Sequence, residues 1–398
     1  MSGALILDAV RTASGRGKPG GALSAFHPVD LAAEVIAALV TRTAAPAASI
    51  DDVLMGCVVQ VGGQTSNLAR NAALAAGLPE SVPGATIDRQ CGSSLQAATF
   101  AAQGIAAGDA DLVIAGGVEM MSRNPIGRST LGEDPFGEGI ARRYPGGLVN
   151  QGISAELIAA RWGLGRRQLD EYAAESHRRA AEAAAAGRFD RELVAVTPPG
   201  ASLPAAADET VRPGTTADAL AGLPPAFADA AAAARFPELG AWRITAGNAS
   251  PLTDGASAVL LASAAGAAAL GARPRARVVA SAVVGSDPIE MLTGVIPATR
   301  KVLARAGLRI EDIDAYEVNE AFAPVPIAWL REVGGDPGRL NPLGGAIALG
   351  HALGATGTRL IGTLLGHLEA TGGRLGLIAV CEGQGMANAM IIERLDPS

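Results

Sequence analysis

Ile50-Asp51-Asp52-Val53 runs into an apolar strand at Leu54–Val59, and about 260 residues later Ile310-Glu311-Asp312-Ile313 runs into another at Ala315–Val318. A helical pattern lies upstream of each, over Asp30–Thr41 and Pro297–Ala306. The same offset carries Cys91 onto His351, each at the expected start of a helix after a Gly-containing or polar turn. Beyond each helix comes an apolar strand that ends in glycines, Leu112 to Gly117 and Leu377 to Cys381 with Gly383 and Gly385. The period is far too long for a solenoid, so the pattern predicts a duplicated unit. Strands alternating with helices predict an α/β fold with mostly parallel or mixed sheet buried under helices. Ligands in such folds gather at the carboxyl ends of strands.

The repeat divides the chain. Residues 1–120, completed by 247–272, form the first half and 273–398 the second. Between them 121–246 breaks the pattern with Gly/Pro-rich loops and a helix pair, Ser154–Trp162 and Arg167–Ala186. Inserts of this length with helices of their own serve function or oligomerisation more often than they merely connect.

Composition excludes several function classes. The net charge of -7 and the lack of a basic block argue against a nucleic-acid partner. Three cysteines, at 57, 91 and 381, match no disulfide framework and no zinc spacing, which fits a reducing compartment and no metal. No apolar run approaches the length of a membrane span, and the N-terminal stretch reads as a strand over Ala4–Leu7, not as a signal peptide.

Four residues at expected strand ends or helix starts have types suited to carbon chemistry. Cys91 stands between a strand at Ala85–Ile87 and a helix at Ser93–Ala106, where free N–H groups and the helix dipole favour a thiolate. Gly92 is expected to give the tight turn that exposes the sulfur. The alternative for Cys91 is a buried cysteine acting as a small hydrophobe. His351 lies in a run of glycines, an unusual setting for core filling, and imidazole is suited to deprotonating a thiol. Cys381 and Gly383 close a strand; Cys381 is either a core cysteine or a second, acid/base thiol exposed into a cleft, with the Gly383 N–H as an oxyanion donor. Asn319 follows the strand ending at Val318, either as a cap for a helix starting near Ala321 or as the holder of a water. Ser250 either caps a turn or binds a ligand amide. A protease would leave the second thiol idle; covalent thioester chemistry uses both.

With these motifs assembled, the chain resembles the thiolase family over essentially its whole length. The matching segments are the one around Cys91, Asn319-Glu320-Ala321-Phe322, Gly350-His351, Cys381-x-Gly383, and Thr245-Ala246-Gly247-Asn248 with Asp254-Gly255-Ala256. The resemblance implies a five-layered αβαβα fold of two duplicated halves with an inserted loop domain. It implies that Cys91 takes the acyl group, that His351 activates it, and that Cys381 moves a proton on or off the α-carbon of acetyl-CoA. His351 and a water held by Asn319 would form one oxyanion hole, the N–H groups of Cys91 and Gly383 another. Ser250, Met291, Phe322, Phe227 and Arg212 are the implied substrate-binding residues. The implied partners are acyl-CoA and CoA, as substrates and not cofactors, with a cytoplasmic homodimer or homotetramer. The wording around Cys91 also resembles actinobacterial fatty-acid and steroid side-chain thiolases.

There are departures. Ala352 stands where relatives usually have Pro, Thr356 where they have Ser, and Gln384 where they have Gly. Asn150-Gln151 replaces the His-Met of many short-chain acetoacetyl-CoA thiolases, which tilts the expectation toward a degradative enzyme with a bulkier acyl range. Two rivals are a decarboxylating ketoacyl synthase, which would lack a thiol at 381, and a silent CoA-binding homologue, which would have lost one of the three reactive side chains.

Overall fold

The structure is a computed structural model and describes residues 3–396; the outermost residues of the two predicted halves, 1–2 and 397–398, lie outside the described residues. Nine principal strands carry the fold: β1 Leu5–Thr12, β2 Asp52–Gly56, β3 Gly84–Ile87, β4 Leu112–Met120, β5 Thr253–Ala262, β6 Ala276–Gly285, β7 Ala315–Val318, β8 Leu375–Glu382 and β9 Met386–Arg394. Their order in the sheet is β3-β2-β4-β5-β1-β6-β9-β8-β7, with short strands Gly15–Arg16 and Leu193–Val194 attached to β5 and β1. Read outward from the β1–β6 junction, the order on one side mirrors the other. That junction is short, pairing only Leu5–Ile6 with Ala276–Arg277, so two half-sheets meet at one edge.

Side chains alternate between the faces of a strand, and here both faces are covered. On β4, Leu112, Ile114 and Val118 pack outward with α1 (Pro28–Thr43) and α2 (Leu68–Ala75), while Val113 and Ala115 face inward. On β8, Leu377, Ala379 and Cys381 face the opposite outer layer, with α6 (Val295–Ala306) and α7 (Pro324–Val333), and Ile378 and Val380 face inward. The inward residues of both half-sheets enclose two central helices, α3 (Ser93–Ala107) and α8 (Thr356–Thr371). The result is five layers, αβαβα. The central helices approach closely because Gly357 carries no Cβ; one there would overlap Leu95.

Several hydrogen bonds repeat between the two halves, three residues out of step with the register read from sequence. Asp51 accepts from the N–H groups of Asp111 and Leu112, and Asp314 accepts from those of Arg374 and Leu375. Ser257 Oγ donates to Ala355 O at the start of α8, and Asn388 Nδ2 donates to Gly92 O at the start of α3. Asp51 therefore corresponds to Asp314, and Ser93 to Thr356. Cys91 is the counterpart of Gly354, and His351, expected to be its mate, lies three residues upstream. His351 also does not begin a helix: a short 3₁₀ turn over Leu353–Ala355 separates it from α8.

The segment between β4 and β5 contains α4 (Gln151–Arg161) and α5 (Arg166–Ala185). Ala155, Ile158, Leu169 and Ala173 pack with the outer layer of the second half, so this segment spans from one half to the other. No helix among the described residues is long and apolar enough to cross a membrane.

Candidate active site

Cys91 ends the turn between β3 and α3 and is 2% exposed. The turn is tied by Asp88 Oδ1, which accepts from Gln90 N at 2.7 Å, and by Ser93 Oγ, which donates to Gln90 O at 2.5 Å and accepts from Arg89 N at 2.9 Å. The strained position is Gln90, at φ +47°. Gly92, expected to supply unusual backbone freedom, has an ordinary φ of -91°. What it supplies is space: a Cβ there would overlap Glu382 Oε1 and lie 2.7 Å from the Asn388 amide. Burial pushes the Cys91 thiol up to about 12, Glu382 pushes it the same way, and the Gln151 side chain and the residue's own N–H pull it down. The resting sulfur is a neutral thiol in need of a base.

His351 is the candidate for that base, and its hydrogen bonds bear on its tautomer. With Thr356 Oγ1 donating to Ala352 O at 3.0 Å, its 2.7 Å contact with His351 Nδ1 is one in which Nδ1 carries the proton. Nε2 then carries the lone pair, which accepts weakly from Asn319 Nδ2. The Thr for Ser departure keeps the hydroxyl that does this. Burial, aided by Arg359, lowers the imidazole to about 3, so it is neutral at working pH. Asn319 Nδ2 lies 3.4 Å from Nε2, while its buried Oδ1 has no partner among the described residues. Asn319 caps no helix, because α7 begins only at Pro324. An unpartnered buried amide oxygen is an acceptor suited to an ordered water.

Cys381 lies at the end of β8, beside the end of β7: Asn319 N donates to Ala379 O at 2.9 Å. Burial raises its thiol well above the usual range, and Cys91 raises it further, which places the two sulfurs in one electrostatic environment. Gly383 packs on the Gln90 side chain, 3.1 Å from Gln90 Oε1 to where a Cβ would stand. Gln384 adopts φ +63°, the strained conformation expected if this position requires a positive φ.

Phe227 and Phe322 meet edge to face at 5.8 Å, in the apolar cluster that also contains Met291 and Cys381. Ser250 Oγ donates to Ala321 O at 3.1 Å. Arg212 is not part of this group: its guanidinium lies on His177 Nε2, 3.0 Å away, and its N–H donates to His177 Nδ1. Sequence reasoning missed two residues that act on Cys91, namely Gln151, which the Asn150-Gln151 departure already marked, and Glu382, hidden as the variable position of Cys381-x-Gly383. Among the described residues no group of three or more His, Cys, Asp or Glu side chains is arranged to hold a metal ion.

Set beside known proteins, residues 4–265 match the family model for the thiolase N-terminal domain and residues 272–394 that for the C-terminal domain. The chain is 48% identical to a steroid 3-ketoacyl-CoA thiolase of Mycobacterium tuberculosis, over 99% of this chain and 95% of that protein. It is 43% identical to a beta-ketoadipyl-CoA thiolase of Escherichia coli, over 99% of this chain and all of that one. The crystal structure of a Bacillus anthracis acetyl-CoA acetyltransferase superposes with a TM-score of 0.89 at 35% identity, covering 99% of both chains.

Proposed function

The chain belongs to the thiolase family, and from that premise we propose that it is an acetyl-CoA C-acyltransferase that cleaves 3-ketoacyl-CoA by thiolysis. One set of contacts supports this reading: two thiols share a buried environment, and Asn319, beside the end of the Cys381 strand, is hydrogen-bonded to a neutral histidine whose Nδ1 is committed to Thr356. Cys91 Sγ attacks the 3-keto carbon and its proton passes to His351 Nε2. The N–H groups of Cys91 and Gly383 take the oxyanion. The C2–C3 bond then breaks, and the electron pair moves onto the thioester of the departing acetyl-CoA. His351 and the water at Asn319 stabilise that enolate oxygen, and Cys381 Sγ–H delivers a proton to C2. CoA finally attacks the Cys91 thioester, its thiol proton passing to the Cys381 thiolate; the C–S bond to Cys91 breaks and Cys91 Sγ regains its proton from His351 Nε2. Run backwards, the same steps condense two thioesters.

Met291, Phe322, Phe227 and Ser250 are assigned to the acyl and CoA pocket. Arg212, occupied by His177, is assigned to that pocket on family resemblance alone. Gln151 and the steroid and ketoadipyl relatives favour degradation of acyl chains bulkier than acetoacetyl. CoA is a substrate and no cofactor is used. The working form is proposed to be a cytoplasmic homodimer or homotetramer. Purified protein given CoA and a panel of straight, dicarboxylic and steroid side-chain 3-ketoacyl-CoAs should consume at least one, leaving a mass adduct on Cys91. No turnover of any member, with wild type indistinguishable from Cys91→Ala, contradicts the proposal.

A further inference from the structure

The residue between Cys381 and Gly383 is a glutamate with no exposed surface. Strand alternation turns its side chain away from that of Cys381, toward the start of α3. There its Oε1 rests on the bare Cα of Gly92, and neither carboxyl oxygen has a hydrogen-bond partner among the described residues. Asn388 Oδ1 faces the same point and is also without one. Asn388 Nδ2 is already used, donating to Gly92 O at 2.9 Å. Two buried acceptors thus face each other with no donor between them. A buried pair in that state is costly unless a donor reaches it, either an ordered water or a proton on one of the two. Only the carboxyl can carry the proton, and the contact of its Oε1 with the bare Cα of Gly92 favours that closed arrangement.

The other half of the molecule shows the contrast. Glu119 occupies the pseudo-symmetric place on β4, equally buried, and accepts from Val58 N, Val59 N, Gln64 Nε2 and Gly354 N. Four donors satisfy an ionised carboxylate; Glu382 has none of their counterparts.

We propose that Glu382 is a positioning residue for the thiolase reaction: a neutral buried acid whose O–H donates to Asn388 Oδ1, holds the Gly92 turn through that amide, and keeps the space behind Cys91 and Cys381 uncharged. This rests on the acyl-carrying role of Cys91. The charged and titratable groups facing it are Asp88 and Arg89 in the turn before α3, Cys91 at its start and Cys381 on its own strand, with Glu119 reaching Cys91 from β4. Burial raises the Glu382 carboxyl to about 8, Arg89 pulling it down and Asp88 up. Below that pH the acid is neutral. Above it, its charge raises both thiols and withdraws the thiolate.

The test is the pH dependence of Cys91 carbamidomethylation by iodoacetamide, read on the Cys91 peptide by mass spectrometry, for wild type, Glu382→Gln and Glu382→Met. Above pH 8 the wild-type rate should flatten, while both variants keep rising and react several-fold faster at pH 9, about tenfold for each unit by which the thiol drops. Thiolysis by Glu382→Gln should likewise extend to higher pH. If the alkylation profiles of wild type and both variants superimpose, the proposal is overturned. Alkylation needs no thioester substrate, so profiles that diverge as expected in a protein that cleaves no 3-ketoacyl-CoA would reject the assigned function and leave the neutral acid standing.

Discussion

The turns that lead into α3 and α8 are one piece of structure used twice, and they have opposite characters. At the α8 turn, Gly354 lies under Glu119, whose carboxylate is fully hydrogen-bonded, and the neighbouring strand residues are Gly56 and Val118. At the α3 turn, the same places hold Cys91, Glu382, Asn319 and Cys381, and the oxygens of Glu382, Asn319 and Asn388 include several without a partner. One turn is closed by packing and hydrogen bonds. The other keeps reactive groups and unspent hydrogen-bonding capacity. The duplicated fold supplies two equivalent frames, and the proposed chemistry falls in the one where local rules of satisfaction are broken.

The sharpest way to break this comparison is to substitute the paired positions. Cys91→Ala should lower acyl transfer by roughly 10⁴-fold or more while leaving stability nearly unchanged. Gly354→Ala should do the reverse. Its Cβ would stand 2.6 Å from Gly56 O and 2.7 Å from Val118 O, so backbone must move, at a cost of about 2–3 kcal/mol in urea unfolding. Equal effects on activity from both would erase the distinction.

His351→Ala should reduce kcat by roughly 10²–10⁴-fold, the range for a lost general base. Its pH signature is on stability. His351, lowered to about 3, and His177 and His367, each lowered to about 4, remain neutral in the fold but take up protons once unfolded below about 6.5. The unfolded state then binds more protons, so stability should fall as pH drops from 6.5 toward 3. Urea midpoints in His351→Gln should fall less steeply over that window.

Glu119→Gln should destabilise by about 3 kcal/mol, because an amide leaves N–H donors facing its own NH₂. The same change at Glu382 faces acceptors and should cost far less. The smallest effect is at the loop between β8 and β9: Gln384→Gly removes a left-handed non-glycine residue and should stabilise by about 1 kcal/mol, read as a shift in the urea midpoint.

Much of this was legible in the sequence. The reactive side chains stand out because Cys91, His351 and Cys381 sit beside glycines, a sequence setting that few buried His or Cys share. Helix α1 is legible nearly to the residue from its apolar face, and strand β7 from its place after Ile310-Glu311-Asp312-Ile313. Strands β5, β6 and β9 were not read as strands. β5 and β9 are buried along almost their whole length and β6 is half-buried along most of its own, so no alternation of apolar and polar residues marks them. The register slipped because Ile310-Glu311-Asp312-Ile313 imitates Ile50-Asp51-Asp52-Val53, whereas hydrogen bonding identifies Asp314 as the partner of Asp51. Glu382 was invisible as a site residue because a single charged residue at a variable position reveals neither its burial nor the empty Cα of Gly92 beneath it.

The division of labour between the two thiols is tested most directly by Cys381→Ala incubated with acetyl-CoA in deuterated water. The mass of the Cys91 peptide should still rise by one acetyl group, while exchange of the acetyl α-protons, followed by NMR, is lost. Exchange at the wild-type rate in this variant would contradict the account.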